Sequence, residues 1–134
     1  MSEQDPAGNA ARPPLRVIIA DDDALMRTLL RAMIVGDDSL ELVGEAEDAG
    51  EAVSLAVDAQ PDVAILDWMM PGGGGAQAAR SLTERCPGVA LVALTSSDTE
   101  EAAIDMLRAG ARSFLVEGGS QEQLVSTLHR AVEG

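Results

Sequence analysis

The sequence predicts an α/β fold, a doubly wound parallel sheet with helices on both of its faces. From Leu15 onwards, short apolar runs alternate with segments whose apolar residues recur at helical spacing, at about the length of a βαβ unit. The run Val63–Leu66 has no polar position, and such a run is typical of a strand that is covered on both faces. Five strands and five helices account for the chain from Leu15 to its last residue.

Five segments have the features of strands, since each is a run of four to seven residues rich in Val, Ile, Leu and Ala. All five run directly into a polar residue, which places these polar residues at strand ends. The predicted strands are Leu15–Ala20, Leu40–Ala46, Asp62–Leu66, Ala90–Leu94 and Ser113–Val116.

Helix signals follow each strand. Asp23 is placed to cap the first helix, which Gly36 ends, and Ser120 with Gln123 forms a capping-box pattern before the last one. Gly110 provides a C-terminal stop for the fourth helix. The predicted helices are the segment from Ala24, Gly50–Ala59, about Ala76–Arg85, about Thr99–Ala109 and the segment after Ser120.

The length of 134 residues is that of one ordinary domain. We expect residues 15–134 to form this domain. Residues 1–14 are Ala, Gly, Pro and polar residues without periodicity, and they are predicted to be a disordered N-terminal leader.

The charge balance excludes several classes of partner. Nine arginines, no lysine and 23 acidic residues give a net charge of -14, which would repel nucleic acid and an anionic membrane surface. Cys86 is the sole cysteine, and no segment resembles a signal peptide or a membrane span. We therefore expect a cytoplasmic protein that does not itself bind nucleic acid.

Aspartates directly follow two of the predicted strands, the first and the third. Right-handed crossovers leave few topologies, and we expect the flavodoxin-like strand order 2-1-3-4-5, in which strands one and three are neighbours. Asp21, Asp22 and Asp67 would then meet in one pocket, with Thr95 and Glu117 at the next strand ends. Three such carboxylates either take up protons or bind a hard cation, and Mg²⁺ suits them because it prefers oxygen ligands. A carboxylate beside Mg²⁺ can attack phosphorus and become an aspartyl phosphate.

The segments Ala20–Asp23, Asp67–Pro71, Leu94–Ser96 and the strand-five segment from Ala111 resemble, in order and spacing, the receiver domain of two-component response regulators. The resemblance covers residues 15–134 and implies a role for each matching residue. It implies that Asp67 is the phosphorylated aspartate, that Thr95 and Phe114 are switch residues, and that Mg²⁺ is bound by Asp22, by Asp21 through water, by Asp67 and by the backbone carbonyl of Met69.

Glu117 departs from the pattern of this family, whose members carry a lysine at this position to pair with the phosphoryl oxygens. No other lysine exists in the chain to replace it. A further carboxylate in the pocket would add a repulsion of roughly 4 kcal/mol for a like pair about 4 Å apart at an effective dielectric near 20. The side chain can also turn to solvent, since two flexible glycines follow it.

Three functions remain open from the sequence. The first is a receiver domain that is not an enzyme but a Mg²⁺-dependent phosphoacceptor at Asp67, served by a sensor histidine kinase or phosphotransfer protein and acting on an output domain or partner protein. The second is a pseudo-receiver, an interaction module in which Glu117 uncouples phosphorylation. The third is an aspartate-nucleophile phosphatase, suggested by Asp21 and Asp23, but such enzymes also use a lysine and a cap domain.

Two further features are open to interpretation. The tetraglycine Gly72–Gly75 is predicted to be a mobile loop rather than a phosphate-binding loop, because Ala76-Gln77 follows it instead of Gly-Lys-Ser or Gly-Lys-Thr. The high negative charge also opposes self-association at low salt. We expect a monomer or a weak homodimer, with helices one, four and five as the partner surface.

Overall fold

A five-stranded parallel sheet forms the centre of the computed structural model, which describes residues 13–71, 74–96 and 100–133. The strand order is β2-β1-β3-β4-β5 and every neighbouring pair is parallel. The predicted fold class and strand order are therefore confirmed. The strands are β1 (Leu15–Ala20), β2 (Leu40–Ala46), β3 (Val63–Asp67), β4 (Ala90–Thr95) and β5 (Ser113–Val116).

Helices cover both faces of the sheet, because successive residues of a strand point to opposite sides. Val17 and Ile19 belong to a core cluster with residues of α1 and α5, whereas Ile18 and Ala20 belong to a cluster with residues of α2 and α3. The helices are α1 (Ala24–Val35), α2 (Ala49–Ala59), α3 (Gly74–Arg85), α4 (Glu100–Arg108) and α5 (Gln121–Glu133). Within the described ranges, no helix is both long enough and apolar enough to cross a membrane.

The predicted helix caps are confirmed. Asp23 Oδ1 accepts a hydrogen bond from Leu25 N at 2.9 Å, so this carboxylate begins α1. Gln123 N donates to Ser120 Oγ at 3.1 Å, and Ser120 N donates to Gln123 Oε1 at 3.0 Å. These two bonds form the reciprocal capping box that the spacing indicated at the start of α5.

Several boundaries differ by one residue from the prediction. β3 includes Asp67, β4 includes Thr95, and α2 begins at Ala49. The two strands therefore extend to the polar residues at their ends, so these residues lie on the sheet itself. The predicted leader falls mostly on residues 1–12, and the predicted start of the fourth helix falls on Thr99. Both lie outside the described residues.

The prediction of a mobile loop over Gly72–Gly75 was wrong for its second half, since Gly74 and Gly75 are buried and form the first turn of α3. Residues 72 and 73 lie outside the described residues. Gly75 N donates to Trp68 O at 3.2 Å. A Cβ at Gly75 would lie 2.6 Å from Trp68 Cε3 and 2.8 Å from Asp67 O. Glycine is needed here because the helix begins against the backbone of the strand end.

We predict that Gly75→Ala destabilises the protein by about 1 to 3 kcal/mol, because the added methyl group must displace backbone atoms of Asp67 and Trp68. Gly88→Ala is the matched control, since a Cβ there meets nothing within 4 Å, and we expect it to change stability by less than about 1 kcal/mol. Urea unfolding followed by circular dichroism measures both. Equal urea midpoints for the two variants would show that α3 can shift to accept the methyl group without a loss of stability.

Candidate functional site

Three carboxylates meet at the carboxyl edge of the sheet, because β1 and β3 are adjacent and Ala20 pairs with Leu66. Asp67 is the last residue of β3, and Asp21 and Asp22 follow the end of β1. Oxygen atoms of these three side chains lie within 4.8 Å of one another. The structure thus brings together the three aspartates that the sequence analysis assigned to one pocket.

Two of these aspartates are buried. Asp21 is 2% exposed and Asp67 is 7% exposed, whereas Asp22 is exposed. Asp21 Oδ1 accepts a hydrogen bond from Asp23 N at 2.8 Å, and Asp67 Oδ1 accepts one from Met69 N at 3.1 Å. Asp21 Oδ2 is buried and has no hydrogen-bond partner among the described residues. A buried carboxylate oxygen without a donor is unfavourable, and a proton, a cation or a bound water would satisfy it.

Burial changes the protonation of the cluster. It raises the pKa of Asp67 to about 7, and the negative charge of Asp21 acts in the same direction. Burial also raises the pKa of Asp21, with a smaller contribution from the charges of Asp22 and Asp23 that is opposed by the hydrogen bond from Asp23 N. Without a cation, Asp67 therefore holds a proton up to near-neutral pH.

The cluster fits a magnesium ion. Mg²⁺ prefers oxygen ligands, keeps several waters and is bound by few carboxylates, and the partnerless Asp21 Oδ2 offers a buried oxygen for such a shell. The backbone of Met69 lies in the turn after Asp67, and its hydrogen bond to Asp67 Oδ1 fixes that turn. The Met69 side chain is 78% exposed, so it leaves the pocket free.

The predicted switch residues lie on β4 and β5, the two strands that follow β3 in the sheet. Thr95 is buried at the end of β4, one position beyond Leu94, which pairs with Asp67. Phe114 on β5 is partly buried and packs against a small core cluster formed by Ala93, Met106 and Ala111. Phe114 thus connects β5 to α4, which contains Met106.

Glu117 follows β5 directly, and its backbone N–H donates to Thr95 O at 2.8 Å. Its side chain is exposed, and it is not one of the three carboxylates that lie within 4.8 Å of one another. The residue therefore lies at the strand end that the sequence indicated, with its carboxylate open to solvent.

The sequence analysis missed Arg27 and Glu45. Arg27 Nη1 donates to the backbone oxygen of Asp21 at 2.7 Å, and Arg27 Nε lies 3.7 Å from Glu45 Oε1. The position of Arg27 one helical turn after Asp23 was a signal that it lies near the acidic segment. Its partner Glu45 is on β2, and only the pairing of β2 with β1 brings the two together.

Comparisons with known proteins agree with this geometry. Residues 17–129 match the model of the response regulator receiver domain. The chain is 32% identical to the response regulator GacA of Pseudomonas viridiflava over 90% of its own length and 56% of that protein. It is 34% identical to the oxygen regulatory protein NreC of Staphylococcus carnosus, again over 90% of this chain and 56% of that protein. The chain thus spans just over half the length of these curated relatives.

Solved structures share the fold. The response regulator domain of Thermotoga maritima CheB superposes with a TM-score of 0.80 at 27% identity, over 90% of this chain and 98% of that chain. A two-component response regulator of the LuxR family from Aurantimonas sp. SI85-9A1 gives a TM-score of 0.85 at 26% identity, over 90% and 86% of the two chains. The family match covers most of the chain, and the chain belongs to the response regulator receiver domain family.

Proposed function

We propose that this receiver domain is a Mg²⁺-dependent phosphoacceptor, with Asp67 as the residue that is phosphorylated. The observation that carries the proposal is the buried Asp67 carboxylate at the end of β3, held beside Asp21 and Asp22. A nucleophile in this position is open to the crevice beyond the strand ends, where open α/β sheets bind their ligands.

In the proposed reaction, an ionised oxygen of Asp67 attacks the phosphorus atom of the donor. An oxygen–phosphorus bond forms, and the bond from phosphorus to the imidazole nitrogen of a phosphohistidine, or to the leaving oxygen of a small acyl phosphate, breaks. The leaving group keeps the electron pair. Asp22 and the Met69 carbonyl would hold Mg²⁺ directly with Asp67, and Asp21 would hold it through water. The ion neutralises charge on the transferred group when it is bound.

Thr95 and Phe114 are the proposed switch. Thr95 is buried at the strand end next to Asp67, and its carbonyl is linked to the backbone of Glu117. A displacement of Thr95 towards a phosphoryl group would therefore also move the backbone of Glu117 at the end of β5. Phe114 packs against the small cluster that contains Met106 of α4, which gives this change a route to the helix surface.

The proposed partners are a sensor histidine kinase or phosphotransfer protein and an output domain or partner protein. Large apolar side chains that are exposed on α1, α4 and β5 support this, since they are available to bind a partner. They are Leu25 and Leu29 on α1, Ile104 and Leu107 on α4, and Val116 on β5. The net charge of -14 opposes both self-association and the binding of nucleic acid. We therefore infer a monomer or weak homodimer that does not itself bind nucleic acid. We also infer that the protein is cytoplasmic and that its role is signalling rather than enzymatic turnover.

The pseudo-receiver alternative is not favoured, because the family match and the relatives that are named as response regulators support an ordinary receiver domain. The exposed side chain of Glu117 also reduces the repulsion that motivated this alternative. A charge in water interacts with the pocket far more weakly than a buried one.

We predict that acetyl phosphate with Mg²⁺ adds the mass of one phosphoryl group to the intact protein, because Asp67 can then ionise and attack. Asp67→Asn should abolish the adduct. Asp38→Asn, which removes an exposed carboxylate outside the cluster, should leave it unchanged. Intact-protein mass spectrometry makes the measurement, and an equal adduct on the Asp67→Asn variant would place the phosphoryl group on another residue.

We predict that the Mg²⁺-free protein loses stability as pH rises from about 4 to about 8. The pKa of Asp67 is about 7 in the folded chain, against 3.8 for an unperturbed carboxyl group. Between these values the folded state binds a proton that the unfolded state has released, so stability falls with rising pH. Asp67→Asn should reduce this slope and raise the melting temperature by about 4 °C or more at pH 8 in chelator.

Thermal unfolding at pH 5 and pH 8, in EDTA and in excess Mg²⁺, tests this prediction. Mg²⁺ should recover the lost stability of the parent protein at pH 8, since a ligand that binds the folded state stabilises it. The gain should be smaller for Asp67→Asn. Identical melting temperatures for the two proteins in EDTA at pH 8 would contradict the proposed burial of charge at Asp67.

For Glu117, we predict phosphorylation rates from a small donor in the order Glu117→Lys, then Glu117→Gln, then the parent protein. Glutamine removes a negative charge, and lysine also supplies a cation that can pair with phosphate. Because Glu117 is exposed, the step from Glu to Gln should be small, about threefold or less, in keeping with surface electrostatics. Equal rates for all three proteins at saturating Mg²⁺ would mean that this side chain stays outside the pocket.

A further inference from the structure

Arg27 contacts the acidic cluster through the main chain rather than through a carboxylate. Its Nη1 donates to the backbone oxygen of Asp21 at 2.7 Å. The backbone N–H of Asp21 donates in turn to Ala46 O of β2 at 3.0 Å. The peptide groups on both sides of Asp21 are therefore held from outside the cluster, one by a strand and one by a guanidinium.

Arg27 is itself fixed to the same strand. Its Nε lies 3.7 Å from Glu45 Oε1, and Glu45 precedes Ala46 on β2. Arg31, one turn further along α1, binds both carboxylate oxygens of Glu45 at 2.6 and 2.8 Å. Glu45 thus has a fixed position, and Arg27 connects it to the carbonyl of Asp21.

The segment that Arg27 holds lies between two regular elements. β1 ends at Ala20 and α1 begins at Ala24, so sheet hydrogen bonds do not determine how the Asp21 carbonyl is oriented. The carboxylates of Asp21, Asp22 and Asp67 repel one another when they are ionised, and this repulsion acts to separate Asp21 from Asp67. A charge-assisted hydrogen bond from a side chain that is 15% exposed opposes the separation.

We propose that Arg27 is a positioning residue for the cation site: it orients the Asp21 peptide and thereby sets the affinity of the three-carboxylate cluster for Mg²⁺. The inference rests on the proposed function only in taking Mg²⁺ as the ligand. Replacement of a residue that hydrogen-bonds to a metal ligand typically lowers metal affinity by about 10- to 100-fold. The guanidinium group suits this role because its several N–H donors let one side chain contact the Asp21 carbonyl and the Glu45 carboxylate at the same time.

A purely structural role for Arg27 predicts a different result. If the side chain only joined α1 to β2, its removal would lower stability and leave the affinity for Mg²⁺ unchanged. Arg31 provides the matched control, since it binds the same Glu45 from the same helix and makes no hydrogen bond to Asp21. The comparison of the two arginines therefore separates positioning from general support.

The test compares Arg27→Gln and Arg31→Gln with the parent protein by Mg²⁺ titration, followed by calorimetry and by Trp68 fluorescence. We expect Arg27→Gln to weaken Mg²⁺ binding about tenfold and Arg31→Gln to weaken it less than about twofold. Arg27→Lys, which keeps the charge without the guanidinium group, should fall between Arg27→Gln and the parent. Phosphorylation of Arg27→Gln by acetyl phosphate should be slow at limiting Mg²⁺ and should approach the parent rate at saturating Mg²⁺.

Unfolding in EDTA measures the stability of each variant without Mg²⁺, which is the quantity that a purely structural role of Arg27 would change. Equal Mg²⁺ affinities for Arg27→Gln, Arg31→Gln and the parent would overturn the inference, and so would a parent protein that binds no Mg²⁺. Should Arg27→Gln fail to fold, Arg27→Lys and Arg31→Lys make the same comparison. If Mg²⁺ binds as expected but no phosphoryl group is added, the proposed function fails while the role of Arg27 stands.

Discussion

Two buried carboxylates of like charge, Asp21 and Asp67, lie side by side at the ends of neighbouring strands, and much of the surrounding structure can be understood from this contact. Their ionised forms repel each other, and burial removes the water that would screen the repulsion. The pKa of Asp67 is therefore raised to about 7, and the proposed Mg²⁺ would take the place of its proton. The proposed binding of Mg²⁺ and the predicted loss of stability with rising pH both rest on this arrangement.

The rest of the fold holds this arrangement together. Parallel pairing of β1 with β3 fixes the distance between the two strand ends. Gly75 lets α3 begin against the backbone of Asp67 and Trp68, where a larger residue would collide. Arg27 and the Asp23 N–H bind the Asp21 segment from the helix side. The site is thus rigid at its base and open at Asp22, the exposed member of the cluster.

The same edge of the sheet connects the site to the surface. Thr95 is buried next to Asp67, and the backbone of Glu117 is hydrogen-bonded to it. Beyond them, Phe114 contacts the small core under α4. These contacts support the proposed switch, in which a change at Asp67 reaches exposed residues of α4, such as Ile104 and Leu107, through β4 and β5.

The sequence by itself determined the fold class, the strand order and the meeting of Asp21, Asp22 and Asp67, because hydrophobic periodicity and right-handed crossovers leave few alternatives. Local signals also predicted the caps at Asp23 and Ser120. Tertiary structure alone decided three other features. Gly74 and Gly75 are helical because Trp68 packs against them, the Glu117 side chain is exposed because β5 ends there, and Arg27 holds Asp21 because β2 presents Glu45. The pairing of Arg27 with Glu45 joins segments distant in the chain, and the contact of Gly75 with Trp68 depends on how α3 packs against the end of β3, so local sequence patterns do not encode these two contacts.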